Sequence, residues 1–105
     1  MIKLELTTRN IPLEDDVKRI VNEKLKKLEK LLVKFPPDSI KAVIMLKKRA
    51  RRSEDDIYVT NLAFYLPSKI FHADQDGYTL EESLGEAIED IKDQLKKHKE
   101  KMKIY

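Results

Sequence analysis

Apolar residues in this chain change their spacing along its length, and each change limits which element a segment can form. Ile2, Leu4 and Leu6 fall on alternate positions with Lys3, Glu5 and Thr7 between them. That is the pattern of a strand with one buried face, and it is predicted to end near Thr8. From Leu13 the spacing turns helical, through Val17, Ile20, Val21, Leu25, Leu28, Leu31 and Leu32, with Glu14, Asp15 and Asp16 where the helix dipole favours acid. Pro36-Pro37 removes two backbone donors and pushes the preceding residue out of helical geometry, so this helix stops by Phe35. Ile40 to Lys47 alternates again, and the polar segment Lys48 to Asp56 reads as an exposed loop. Ile57 to Leu66 is the strongest strand pattern, and Pro67-Ser68 turns it into a fourth strand from Ile70 to about Gln75, making a hairpin. Thr79 and Glu82 have the spacing of a capping box ahead of a second helical stripe, Leu80, Leu84, Ala87, Ile88, Ile91 and Leu95. Beyond Leu95 the chain is basic through Lys101.

The predicted order is β-α-β-β-β-α, an α+β fold. Two amphipathic helices and four strands bury their apolar faces most economically as a four-stranded sheet with both helices packed on one face. The other face is then left wet. Within 105 residues no glycine-rich or serine-rich linker separates two cores, so one domain over residues 1–105 is expected. The 41% hydrophobic content is enough for one core without a disulfide or metal. Cysteine is absent, which suits a reducing compartment, and no run approaches the length of a membrane span. A cytoplasmic location without membrane contact follows as an expectation.

Catalysis finds little to use. With no cysteine, two histidines and two glycines, a phosphate-cradling glycine loop and a nucleophile elbow are excluded by inventory. His72, Asp74 and Asp76 share one face of a strand and are a formal metal-ligand set, but a polar solvent face is the simpler reading. Paired acids such as Asp55-Asp56 and Glu81-Glu82 sit in a loop and a first turn, with nothing to desolvate them. No enzyme activity, metal, cofactor or small-molecule substrate is expected.

The basic residues are better organised. Charged residues make up 39% of the chain while the net charge is only +3, so their placement carries the information. Lys24, Lys26, Lys27, Lys30 and Lys34 crowd the second half of the first helix, where Lys27, Lys30 and Lys34 form an exposed strip. The loop after the second strand adds Lys47, Lys48, Arg49, Arg51 and Arg52. The approach to the second helix and its first half are acidic, from Asp74 to Asp93. Segregation of this kind fits a polyanion, because each phosphate neutralised by Lys or Arg releases a counterion. A solvated helix with lysines at the favourable end of its dipole is the plainer alternative for the first helix alone; the arginine loop tips the balance to nucleic acid.

Among the aromatics, Phe64 is in phase with Leu62 and Leu66, and Phe71 with Ala73, which assigns both to the core rather than to base stacking. Tyr65 falls on the opposite face with Val59 and Ala63, a modest apolar patch. Gly85 interrupts the second helix with no reason visible in the sequence.

The element order, with Lys24-Leu25-Lys26-Lys27-Leu28-Glu29-Lys30 in the first helix and Gln94-Leu95-Lys96-Lys97-His98-Lys99-Glu100-Lys101 in the second, resembles the ribosome hibernation promoting factor and ribosome-associated inhibitor (sigma modulation protein) family. The likeness covers the whole chain, in a short form. It implies a fold similar to double-stranded RNA-binding domains. It further implies a translation inhibitor that sits on the small ribosomal subunit, contacts ribosomal RNA and overlaps the sites of tRNA and messenger RNA. Lys24, Lys27, Lys97 and Lys99 match the family's basic positions; Lys30, Arg49, Arg51 and Arg52 are added from charge alone. Where the family reads Lys-Leu-x-Arg-Gln-Leu, this chain has Asp90-Ile91-Lys92-Asp93-Gln94-Leu95, two acids in place of phosphate-facing cations. A carboxylate facing a phosphate costs electrostatic energy, so either the RNA contact shifts toward the first helix and the arginine loop, or affinity is lower, or the partner is a different one. A general binder of structured RNA and a protein-interaction module using the acidic second helix are the rival readings. A monomer is expected rather than a dimer.

Overall fold

Lys3–Arg9 (β1) and Lys41–Arg49 (β2) pair in parallel, and Ile57–Leu66 (β3) and Lys69–Gly77 (β4) continue the sheet antiparallel in the order β1-β2-β3-β4. Asp15–Glu29 (α1) connects β1 to β2, and Leu80–Met102 (α2) follows β4. The computed structural model describes residues 2–32, 39–49, 57–67 and 69–102, with side chains through His98. All six elements stand where the apolar spacing predicts them.

Their ends differ from expectation for local reasons. Lys48 and Arg49 are not loop residues but the last of β2, because they pair with Tyr58 and Ile57 in the ladder. Lys48 Nζ also lies 5.9 Å from the Tyr58 ring centroid, a cation–π contact. β4 runs on to Gly77, opposite Tyr58. α1 closes with a tight turn, in which Leu31 and Leu32 N–H groups donate to the Leu28 and Glu29 carbonyls at 3.0 Å, and this tucks Leu32 into the core. The predicted residues of this helix from Val33 to Phe35 lie outside the described residues. α2 continues past the end of its apolar stripe, since lysine and glutamate are good helix formers.

One core holds these elements together. Alternate residues of the central strands, Ala42, Ile44 and Leu46 with Leu62, Phe64 and Leu66, meet the helix stripes Val21, Leu25 and Leu28 and Leu84, Ile88, Ile91 and Leu95. Burial of one such side chain contributes on the order of 2 kcal/mol. The predicted core roles of Phe64 and Phe71 hold: both are essentially inaccessible.

The one polar insertion in this contact is satisfied. Thr60 on β3 and Ser83 on α2 are both buried, with their hydroxyl oxygens 2.9 Å apart. Ser83 uses its proton on the Leu80 carbonyl at 3.1 Å, so Thr60 must donate to Ser83. The predicted cap on α2 forms, with the Glu82 N–H donating to Thr79 Oγ1 at 3.1 Å.

No described element covers the other sheet face, although Val59 upon it is buried. Read across from β1 to β4, its rows are Lys3, Lys41, Tyr65 and Ile70; Glu5, Val43, Ala63 and His72; Thr7, Met45, Asn61 and Asp74; then Arg9, Lys47, Val59 and Asp76. Lys41 Nζ donates diagonally to Glu5 Oε1 at 2.8 Å. That hydrogen bond, followed by the charge of Glu5, raises the Lys41 pKa.

The two glycines have opposite surroundings. A Cβ on Gly77 would lie 2.7 Å from the Ser83 backbone nitrogen and 3.0 Å from Glu82 Cβ, so the β4–α2 connection closes only over a bare backbone. A Cβ on Gly85 would meet nothing nearer than Lys24 Nζ at 4.0 Å, an ordinary contact, so nothing around this position requires a glycine. Gly77→Ala is expected to destabilise the fold by about 1–3 kcal/mol through overpacking. Gly85→Ala is expected to stabilise it by about 1 kcal/mol through helix propensity. Urea unfolding of both variants checks the pair of signs, and a loss of stability in Gly85→Ala would contradict this account.

Candidate RNA-binding surface

Topology places the charges. β1 ends at Arg9 beside Lys47, and the parallel β2 begins beside Lys3, so α1 must run back from the Arg9 end of the sheet to the Lys41 end. α2 starts after Gly77, at that same Arg9 end, and its His98 reaches Phe71 near the start of β4. The two helices therefore run in the same direction and pack against each other. Their acidic first turns, Asp15 and Asp16 of α1 and Glu81 and Glu82 of α2, share one end of the molecule. Their lysine-rich C-terminal turns share the other. Each sign sits where the aligned helix dipoles favour it.

The basic end gathers three of the eight expected residues as exposed side chains. Lys27 and Lys30 are exposed at the end of α1, and Lys97 is exposed near the end of α2. Lys24 is half-buried against α2 at Gly85, so it borders the helix–helix seam rather than the outward strip. Lys99 continues the helix backbone beyond Lys97, and its side chain lies outside the described residues, as does Lys34. α2, 23 residues long, extends about 34 Å at 1.5 Å per residue and so outruns the adjoining strand.

Sequence reasoning missed two residues at this end. Lys69 at the start of β4 and His98 on α2 flank Phe71, with Lys69 Nζ 5.2 Å from the ring centroid and the imidazole edge-on at 5.7 Å. With Gln94 and Lys97 they line a groove of about 190 Å³, in which no described side chain is a carboxylate. The alternation Lys69, Phe71, Ala73 carried the signal, because it sets Lys69 on the helix side of the sheet.

Arg49 does not join this group. It ends β2 at the acidic end, eight positions along the strand from Lys41, or about 26 Å. The basic run Lys47, Lys48, Arg49 is also divided by the pleat, with Lys47 on the open face and Lys48 on the helix side. Arg51 and Arg52 lie outside the described residues.

Asp90 and Asp93 differ from each other. Asp90 is half-buried, and its carboxylate oxygens accept from Gln75 Nε2 of β4 at 3.3 Å and from Gln94 Nε2 at 3.0 Å. Gln94 Nε2 also donates to the His72 carbonyl at 2.8 Å. Asp90 thus faces the sheet and belongs to a clamp between α2 and β4, not to a phosphate-facing row as expected; Asp93 alone of the two is exposed. The metal reading of His72, Asp74 and Asp76 gains nothing. These side chains are exposed, Asp74 accepts from Asn61 Nδ2 at 2.6 Å, and among the described residues no three potential ligands come together. No described helix is long and apolar enough to cross a membrane.

The fold and this charge layout define a one-sided α+β domain of β-α-β-β-β-α order with a cationic helix end. Over residues 4–103 the chain matches the family described as sigma 54 modulation protein / S30EA ribosomal protein, and it belongs to that family of ribosome-associated modulation proteins. Its fold is similar to the crystal structure of the Protein Y N-terminal domain from Thermus thermophilus, at 17% identity and a TM-score of 0.72, covering 93% of this chain and 99% of that one. It is similar too to a ribosomal subunit interface protein from Coxiella burnetii, at 14% identity and a TM-score of 0.70, covering 93% of this chain and 98% of that one. No curated protein matches the chain by sequence.

Substitution by the family's cation separates the two acids. Asp90→Arg removes two accepted hydrogen bonds and is expected to cost about 1–2 kcal/mol of stability. Asp93→Arg is expected to stay within about 0.5 kcal/mol of the parent. Thermal or urea unfolding measures both, and equal effects would mean that the Asp90 clamp contributes nothing.

Proposed function

We propose that the chain binds the small ribosomal subunit through ribosomal RNA and inhibits translation by occupying the positions of tRNA and messenger RNA. The observation that carries this reading is the gathering of Lys27 and Lys30 with Lys69 and Lys97 at the end where both helices finish, while acids fill the first turns of both helices at the other. Family membership and the ribosomal name of the Coxiella burnetii neighbour support it.

Binding rests on counterion release. Lysines at the ends of two packed helices present cations to the phosphates of a folded RNA, and each phosphate neutralised returns a condensed counterion to solution. About five such contacts predict a log–log salt slope near −4. The acidic first turns of the two helices repel phosphate, which limits how much of the helix surface can lie against RNA. Inhibition then follows from occupied volume and needs no cofactor. Lys99 remains part of the proposed contact; Arg49, with Arg51 and Arg52 that follow it within two and three residues, is proposed as a separate, secondary one because of its distance from the helix ends.

Co-sedimentation with small subunits, large subunits and whole ribosomes at low and moderate salt tests the proposal. Saturable binding to small subunits that excludes initiator tRNA is the expected result. The triple variant Lys27→Glu, Lys30→Glu, Lys97→Glu is expected to lose association at moderate salt, while Arg49→Glu weakens it by less than about tenfold. Asp93→Arg is expected to strengthen it. Undiminished pelleting of the triple variant, or no binding to small subunits at low salt, would reject the reading.

A further inference from the structure

The open face of the sheet has an order of its own. At its centre Val43, Met45 and Ala63 floor a shallow trough of about 290 Å³. Its two sides differ in charge: Arg9 and Lys47 stand on β1 and β2, and Asp76 on β4 shares their row. We propose that this face is the interface of a symmetric dimer of the chain, with the two-fold axis parallel to the strands and between β2 and β3.

The strand register supplies the argument. Rotation about that axis keeps each row at its level along the strands and reverses it from side to side, so β1 of one copy faces β4 of the other. Arg9 then lies opposite Asp76 of the second copy, Glu5 opposite His72, and Val43 opposite Ala63. Each contact occurs twice, because a two-fold interface uses the same patch on both copies. An axis across the strands would instead set Lys3 over Arg9, cation against cation. The charges therefore select one of the two ways in which aligned sheets can stack.

Size sets the strength. Four strands about 4.8 Å apart, over seven residues of about 3.3 Å each, give a face of roughly 19 by 23 Å, at the low end of specific interfaces. A weak, transient dimer is expected from a face of this size. Both helices lie on the far side of each sheet, so pairing leaves the basic ends free, and self-association can be measured apart from RNA binding. The sequence predicts a monomer; only the register shows which charges share a row.

Sedimentation equilibrium of the full chain from about 10 μM to 1 mM at low salt tests the proposal. A monomer–dimer equilibrium is expected. Arg9→Glu and Asp76→Arg should each weaken it by about tenfold or more, and the variant carrying both should return to within about threefold of the parent, since it restores opposite charges in the same row. A monomer over the whole range, single variants that dimerise as well as the parent, or a double variant no better than the singles would each overturn it.

Discussion

The contact between the helix side of the central strands and the two helix stripes is the interaction on which the rest of the molecule depends. Ala42, Ile44 and Leu46 on β2 and Leu62, Phe64 and Leu66 on β3 have nowhere else to be buried, because a strand exposes alternate residues to opposite faces. The helices must therefore lie on that face, side by side, and the parallel pairing of β1 with β2 then forces α1 to run back along the sheet. The chain from the Thr60 hydroxyl to the Ser83 hydroxyl to the Leu80 carbonyl leaves neither buried hydroxyl unpaired.

Electrostatic polarity is a by-product of that packing. Two helices that share a direction bring their N-terminal acids to one end and their C-terminal lysines to the other, a separation that neither helix achieves alone. The dipoles reinforce it, and Lys69 extends it onto the sheet edge, where the Phe71 ring holds its ammonium in place. A phosphate chain approaching the helix side meets attraction at the C-terminal turns and repulsion at the first turns, while Arg9, Lys47, Lys48 and Arg49 add cations on the strands at the latter end. The helix side has in consequence a preferred orientation before any specific contact forms.

Substitutions that look alike along the chain have unlike consequences in space. Asp90 and Asp93 both replace a cation of the family pattern, yet one is bound to Gln75 and Gln94 against β4 and the other faces solvent. The departure from the family pattern is thus smaller at the exposed surface than the residue types suggest. Gly85, unexplained by helix propensity, has no neighbour that requires a glycine.

Periodicity alone determined the elements, their order, the one-sided core and the aromatic residues inside it, because a buried face leaves its repeat in the sequence and burial dominates folding free energy. The run from Lys24 to Lys30 and the basic end of α2 were legible for the same reason, as residues left outside the apolar stripe. The tertiary structure decided what depends on distance between elements. It paired β1 with β2, extended β2 to Arg49, set the lysine-rich ends of α1 and α2 at the same end of the sheet and left Arg49 at the opposite end. It also turned Asp90 inward and aligned Arg9, Lys47 and Asp76 in one row of the open face. None of these leaves a periodic trace, since Coulomb and hydrogen-bond energies depend on separation in space and a residue's position in the chain does not encode it.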